Sequence, residues 1–401
     1  MKKTAMTSKE RYMTAFAHRE PDRVPVYLDV YPTSFYTDDM RWYNQLEKVE
    51  KLLEAGTDPI INIWLPTPVL NSDVKVRTWR EKDASGNMIL GKEFDTPAGT
   101  LRQAVHETDD WCSSTHNYWV QQTLAGGEKQ TYGMDVFDDW NISRRSEPWV
   151  KGREDLEKLR YILQIPKDWE LEEWRHDTQR VMEFAEKHDV LTIVRRTIVS
   201  DASFWFCDVP WFIMQLYDDP SFVEEFLGIF EKVAAWQAEL ALALKPDIFQ
   251  RRGWYDTPDF WGGAHYNDYI IPSINKEADL AHQAGVLHCY LLTEGWGPYL
   301  EKFKELKSDI LWGLDPYKNR ADMRTVKDGV GRTKTILGGI SQEQDLLLGT
   351  PETIRKRVRD TISIMAAGGG FVLASSSSIG RNVKWENIKV FVDEALSCGK
   401  Y

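Results

Sequence analysis

Between residues 286 and 374 the chain reads Val286-Leu-His-Cys-Tyr-Leu-Leu292, Asp309-Ile-Leu-Trp-Gly-Leu314, Thr335-Ile-Leu-Gly-Gly339 and Gly370-Phe-Val-Leu-Ala374, with helical patterns between and after these runs. The runs are mostly apolar without alternation, the pattern of parallel strands covered on both faces. Working outward, similar runs occur at 24–30, 59–63, 190–196 and 247–251. The segments 46–54, 174–187, 219–244, 270–284, 297–307, 351–367 and 385–396 place apolar residues three and four apart, as an amphipathic helix requires. Thr350-Pro351-Glu352 is a helix start, with a capping hydroxyl, Pro at the first helical position and an early acid facing the dipole. Eight strands alternating with helices predict an α/β fold, a (β/α)8 TIM barrel. A doubly wound open sheet is the alternative, but the phosphate-binding glycine fingerprint after a first strand is missing.

Residues 74–106 break this rhythm. Val74-Lys-Val-Arg-Thr-Trp-Arg80 alternates with the period of a strand, Ala84-Ser-Gly-Asn-Met88 supplies a turn, and two more strand-like runs follow. The reading is a β-meander inserted in the barrel and continued by an aromatic-rich lid segment, with 74–150 an insertion in a single domain spanning 1–401.

Composition narrows the function. Acidic residues number 62 against 50 basic ones, a net charge of −12, and no long basic cluster relieves it. Nucleic acid is therefore an unfavourable partner. No run approaches the roughly 20 apolar residues of a membrane span, and the start lacks the apolar stretch of a signal peptide. The four cysteines are scattered with no Cys-x-x-Cys pair, which reads as reduced thiols of a cytoplasmic protein. Trp, at 17, outnumbers Tyr and Phe at 16 each, so part of the indole content is available for an aromatic pocket.

The opening Thr7-Ser-Lys-Glu-Arg-Tyr-Met-Thr-Ala-Phe-Ala-His-Arg-Glu-Pro-Asp-Arg-Val-Pro-Val26 resembles that of the uroporphyrinogen decarboxylase superfamily. Thr96-Pro-Ala-Gly-Thr-Leu-Arg-Gln103, Gly338-Gly-Ile-Ser341, Gly349-Thr-Pro-Glu352, Gly368-Gly-Gly-Phe-Val-Leu373 and Trp385-Glu-Asn-Ile388 carry the resemblance along the chain. It implies one (β/α)8 barrel with its site at the carboxyl ends of the strands. The superfamily includes porphyrinogen decarboxylases and zinc-dependent methyltransferases that exchange methyl groups with corrinoid proteins, and the resemblance is nearer the second branch.

The working residues depart from both branches. Val30 and Ser34 fall where the decarboxylases carry substrate-binding arginines, Asp29 is offered instead, and Asn62 stands near the place of the family aspartate. The methyltransferase His-x-Cys-Gly is replaced by Leu292-Thr-Glu-Gly295, and the second zinc cysteine by the serines 375–378. His288 and Cys289 are adjacent, so in a strand they point to opposite faces. The metal is therefore unknown: zinc is an option, and Glu294 lies where a ligand would be.

At the strand ends, Glu294 is the leading catalytic candidate, as general acid or hard metal ligand; the plainer reading is a helix-start acid. Arg251-Arg252-Gly-Trp254-Tyr255-Asp256 offers an arginine for a carboxylate or phosphate, with Tyr255 and Asp256 able to handle a proton; a structural Arg–Asp brace is the alternative. Of Arg195 and Arg196 only one faces inward, and Arg196 is taken with Arg252 as substrate-binding. Trp64, Trp254 and Trp296 follow predicted strands and should rim one mouth, with Tyr31, Trp205 and Trp261 candidates to join them. Asp315 orients substrate or makes a turn before Pro316. Gly338-Gly339 and the serines, Ser376 among them, allow close approach of a ligand or serve barrel closure.

The expectation is a methyltransferase taking methyl from a small aromatic methyl ether (an O-demethylation), with the corrinoid supplied by a separate protein. A decarboxylase of a small aromatic acid, with Arg252 or Arg196 as clamp, and a ligand-binding barrel without turnover are the alternatives. A homodimer is one oligomeric option.

Overall fold

The computed structural model describes residues 6–30, 34–35, 40–106, 145–196, 199–380 and 382–401. Eight parallel strands form one curled sheet: β1 (Val26–Tyr27), β4 (Ile60–Trp64), β9 (Leu191–Arg196), β10 (Ile248–Arg252), β11 (Leu287–Leu291), β12 (Ile310–Leu314), β13 (Thr335–Ile340) and β14 (Phe371–Ser375). Their order is β1-β14-β13-β12-β11-β10-β9-β4, so each strand after β4 lies beside its predecessor and β14 returns to β1. The predicted barrel strands are all present. Two short strands, β2 (Ser34–Phe35) and β3 (Arg41–Trp42), pair with each other beyond β1.

The seam between β1 and β4 closes differently from the rest. The Asp58 N–H donates to the Val26 carbonyl at 2.8 Å, joining β1 to the residues leading into β4. The Asp58 carboxylate, fully buried, accepts the Val26 N–H (2.8 Å) and receives Arg11 (2.5 Å) and Arg23 (2.6 Å). The opening motif thus places its arginine where it pins the seam. Higher up, the helix Gln45–Glu54 supplies side chains in place of a neighbouring strand. Gln45 Oε1 accepts the Asn62 N–H at 3.2 Å, and Lys48 Nζ reaches the Val30 carbonyl at 3.5 Å.

Both faces of the barrel strands are buried, which accounts for their continuous apolar runs. One core fills the interior, with Tyr27, Ile193, Ile248, Cys289, Trp312 and Val372 among its members. The other packs between strands and helices, where Phe226, Tyr266, Trp296 and Phe303 sit. Gly313 marks a register shift between β12 and β13. Its φ of 111° and a Leu292 carbonyl oxygen only 2.1 Å from where a Cβ would stand leave room for glycine alone. Gly338 and Gly339 likewise lie against the Leu314 backbone and the Thr361 side chain, which is a packing role.

The meander is β5 (Lys75–Lys82), β6 (Met88–Thr96) and β7 (Gly99–His106), joined by a further short strand β8 (Arg145–Glu147). Asp83 closes the first turn by accepting the N–H groups of Ser85 (2.9 Å) and Asn87 (2.8 Å). Phe94 stacks near Trp149, tying the insertion to the outer core. The lid expected beyond β7 lies, over 107–144, outside the described residues.

One expected helix is corrected. Residues 297–307 form only the short helix Trp296–Tyr299 and a single turn at Lys302–Lys304. The N–H groups of Gly295 and Gly297 are given to the carbonyls of Lys318 and Asn319, so this segment is tied to the next loop at its start. Among the described residues, no helix is long and apolar enough to cross a membrane.

Candidate active site

Strand alternation decides which charges face the barrel interior. On β9, Leu191, Ile193 and Arg195 share the inward parity. Arg195 is buried and donates to the Tyr27 hydroxyl (2.8 Å) and Asp29 Oδ1 (2.9 Å), with its guanidinium 4.9 Å from the Trp312 ring centroid. Tyr27 in turn donates to Asp29 Oδ1 (3.0 Å), and Ser378 donates to Asp29 Oδ2 (2.8 Å). Burial works against the Asp29 charge, but Arg195, Arg252 and these hydrogen bonds outweigh it and hold the carboxyl below its usual range.

On β10, Ile248, Gln250 and Arg252 point inward. Arg252 lies between two indoles, 5.7 Å from the Trp64 ring and 5.2 Å from Trp254. Gln250 Nε2 donates weakly to Cys289 Sγ (3.6 Å), and its buried Oε1 has no hydrogen-bond partner among the described residues. Buried Lys48 lies where the Asp29 and Arg195 charges act on it. The carboxyl end of the barrel thus collects Lys48, Arg195 and Arg252 around the buried carboxylate of Asp29, while a second buried carboxylate, Asp315, stands past β12.

Arg196, expected as a substrate clamp, faces the other way. It pairs with Glu277 on the surrounding helix Ile271–Gln283, and Arg251 shares the same carboxylate at 2.9 Å. Arg251 also donates to Ser273 (2.7 Å) and Ser200 (3.1 Å). Asp256 belongs to this outward layer too: fully buried, it accepts from the Tyr290 hydroxyl at 3.1 Å. Asp201 accepts the N–H groups of Trp254 (3.3 Å) and Tyr255 (2.9 Å), fastening the loop after β10. Burial lifts both carboxyls above their ordinary range, and the Asp256 charge adds to the effect on Asp201, pushed up to about 8.

The remaining candidates divide. Trp64 and Trp254 are half-buried at the mouth, and Trp205 meets Trp254 edge-on at 5.7 Å. Trp296, expected on the rim, is instead wholly buried in the outer core, its indole N–H donated to the Leu292 carbonyl (2.7 Å) and its ring edge-on to Phe303. Trp261 lies in the same core. Tyr255 packs among Phe204, Trp205 and Phe260. Glu294 is half-buried just past β11, with no hydrogen bond or ion pair to a described residue. Asp315 makes a turn by accepting the N–H groups of Tyr317 (2.8 Å) and Lys318 (3.1 Å), and it receives the Ser376 hydroxyl (2.7 Å). Tyr31 lies outside the described residues.

Zinc does not fit the residues described. Among them no group of three His, Cys, Asp or Glu side chains converges. Cys289 faces inward, its thiol pushed up to about 12 by burial, whereas His288 faces outward onto Ser308 Oγ (2.9 Å). A zinc site needs its ligands to converge, and alternation along β11 sends these two side chains to opposite faces.

From sequence Arg195 was weighed and passed over for Arg196, and Tyr27, Gln250 and Lys48 were not singled out for the site. For Lys48 a signal existed, since it shares a stripe with Gln45, Val49 and Leu52 on one helix face.

The uroporphyrinogen decarboxylase family model matches residues 207–397. A uroporphyrinogen decarboxylase from Psychromonas ingrahamii is 29% identical over 142 residues, 34% of this chain and 38% of that relative. The match therefore spans well under half the relative's length. A methyltransferase from Methanosarcina mazei superposes with a TM-score of 0.57 at 14% identity, covering 98% of this chain and 99% of that one, a likeness of fold. Residues 207–397, which carry β10 to β14 and Arg252, are thus the part of this chain that is similar to the uroporphyrinogen decarboxylase family.

Proposed function

We propose that this chain is a methyltransferase that takes the methyl group of a small methoxylated aromatic acid and passes it to the corrinoid of a separate protein. The observation that carries the reading is the local excess of positive charge buried around Asp29. Arg195 and Arg252, with Lys48, face one carboxylate, Asp29, and Arg252 lies between the rings of Trp64 and Trp254. A buried charge excess favours a ligand of opposite sign, and the two indoles suit an aromatic ring. Arg252, lying between the two indoles, is the carboxylate handle.

Methyl transfer is favoured over decarboxylation by the same charges. Loss of carbon dioxide disperses the carboxylate charge, so a guanidinium on that carboxylate stabilises the ground state more than the transition state. Such a contact binds and orients a group that does not react. The overall likeness to a methyltransferase, along nearly the full length of both chains, agrees with this choice.

The test is to incubate the protein with para-methoxybenzoate and reduced cobalamin as acceptor, and to follow para-hydroxybenzoate by chromatography. Acceptor-dependent phenol formation is expected. Carbon dioxide release without acceptor, or binding with no turnover on any methoxylated acid, would overturn the proposal.

A further inference from the structure

Lys48 is a buried ammonium with little to hold it. It is 2% exposed, yet its hydrogen bonding to described residues amounts to the 3.5 Å contact with the Val30 carbonyl. An ammonium carries three donors, and leaving them unmet away from water is costly. Its place near the amino end of the helix Gln45–Glu54 brings no gain from the helix dipole. Around it, Gln45 Nε2 and Asn62 Oδ1 are buried with no hydrogen-bond partner among the described residues. All three groups stand at the β1–β4 seam, where side chains replace strand pairing. A ligand oxygen placed there would meet donors that the described residues leave unused.

We infer that Lys48 is a catalytic residue of this site, the donor that protonates the ether oxygen as it leaves. The inference rests on the methyl-transfer reading above. The strand order sets the geometry: β9 lies between β10, which carries the Arg252 handle, and β4 at the seam. Two strand spacings are about 10 Å, a span that suits a para-substituted benzene ring with a polar contact at each end. Glu294 follows β11, on the far side of the barrel from the seam.

In the step, the methyl carbon bonds to the acceptor's nucleophilic electron pair, and the carbon–oxygen bond breaks with its electrons on oxygen. An Nζ proton of Lys48 moves to that oxygen, leaving a phenol and a neutral amine that water reprotonates. Burial lowers the ammonium's pKa and Arg195 adds to this, while Asp29 opposes them, the balance being pushed down to about 8. An acid in that range is competent near neutral pH.

Three variants and one spectrum test this. Lys48→Met should lower kcat on para-methoxybenzoate by ~100-fold or more, within the usual range for loss of a general acid, with KM little changed. It should affect much less a donor whose leaving phenol is acidified by a ring nitro group. Lys48→Arg keeps the charge but is too weak an acid, and it should not restore kcat; Arg252→Met should instead raise KM. Equal losses on both donors, or full rescue by arginine, would overturn the role. Independently of turnover, proton–carbon spectra of protein labelled with 13C-lysine, assigned with Lys48→Met, should show the Lys48 titration shift when para-hydroxybenzoate binds. An unmoved resonance overturns the inference, whereas a moved one without methyl transfer to any acceptor overturns only the reaction proposed above.

Discussion

Arg195 Nη2 lies 2.9 Å from Asp29 Oδ1, an ion pair that ties the end of β9 across the barrel mouth to the chain just past β1. Both side chains are buried, 4% and 7% exposed, so neither charge is relieved by water. Removing one partner of such a pair is costlier than the pair's own net stabilisation, because the other charge is left uncompensated.

Asp29→Asn should therefore destabilise the fold by about 3 kcal/mol at pH 7, read from urea unfolding. The Asp29 pKa is depressed in the folded state, so its stabilisation is present above the unfolded carboxyl value of about 4 and is lost as pH falls through the lower folded value. The variant's stability should accordingly fall less steeply than wild type on acidification. A wild-type acid limb retained unchanged in the variant would contradict this.

Arg252 and Arg196 should separate binding from stability. Arg252→Met is expected to weaken para-hydroxybenzoate binding by ~10-fold or more, the loss of a charge-assisted contact of about 1.4 kcal/mol or more, with a smaller fall in melting temperature than Arg196→Met. Arg196→Met should cost about 3 kcal/mol of stability by disturbing the buried Glu277 pair, with binding unchanged. Calorimetric titration and thermal melts on both variants decide; reversed effects would mean that β9 and β10 face the other way.

Asp201 predicts a stability slope of opposite sign to Asp29. Its pKa is raised in the folded state, so the native protein holds a proton that the unfolded chain has released. Stability from this group is full below the unfolded value of about 4 and declines as pH rises towards the folded value of about 8. Asp201→Asn removes that decline, so its stability relative to wild type should improve steadily from pH 5 to pH 8 in urea titrations. A constant difference across this range would count against a protonated Asp201.

Gly313→Ala should be among the costlier single-methyl changes, at about 3 kcal/mol or more. It places a Cβ 2.1 Å from the Leu292 carbonyl oxygen at a φ of 111°. Thermal melts that match wild type would show that the shift between β12 and β13 relaxes freely.

Much of the fold was legible before any coordinates. Eight apolar runs separated by helical spacing determine a parallel barrel, because strands buried on both faces tolerate few polar residues. Asp83 and Gly86 at the meander turn and Thr350 at a helix start act locally, through bonds to their own neighbours, and local chemistry is written in local sequence. The helix expected at 297–307 was lost to long-range bonds with the Asn319 loop, which no local pattern records.

The site was legible only in part. Alternation determines that Arg195 and Arg196 oppose each other, and likewise Arg251 and Arg252, but a strand with two apolar faces carries no mark of which face is inside. Tertiary packing made that choice, setting Glu277 outside β9 and β10 to receive Arg196 and Arg251, and leaving Arg195 and Arg252 to the interior. It also left the seam between β1 and β4 to be filled from a helix, so that Gln45 and Lys48 stand where a strand would pair. The sequence by itself determined the barrel and the order of its strands. Only the assembled sheet decided which charges point into it, because facing is a property of the closed sheet and not of any one strand.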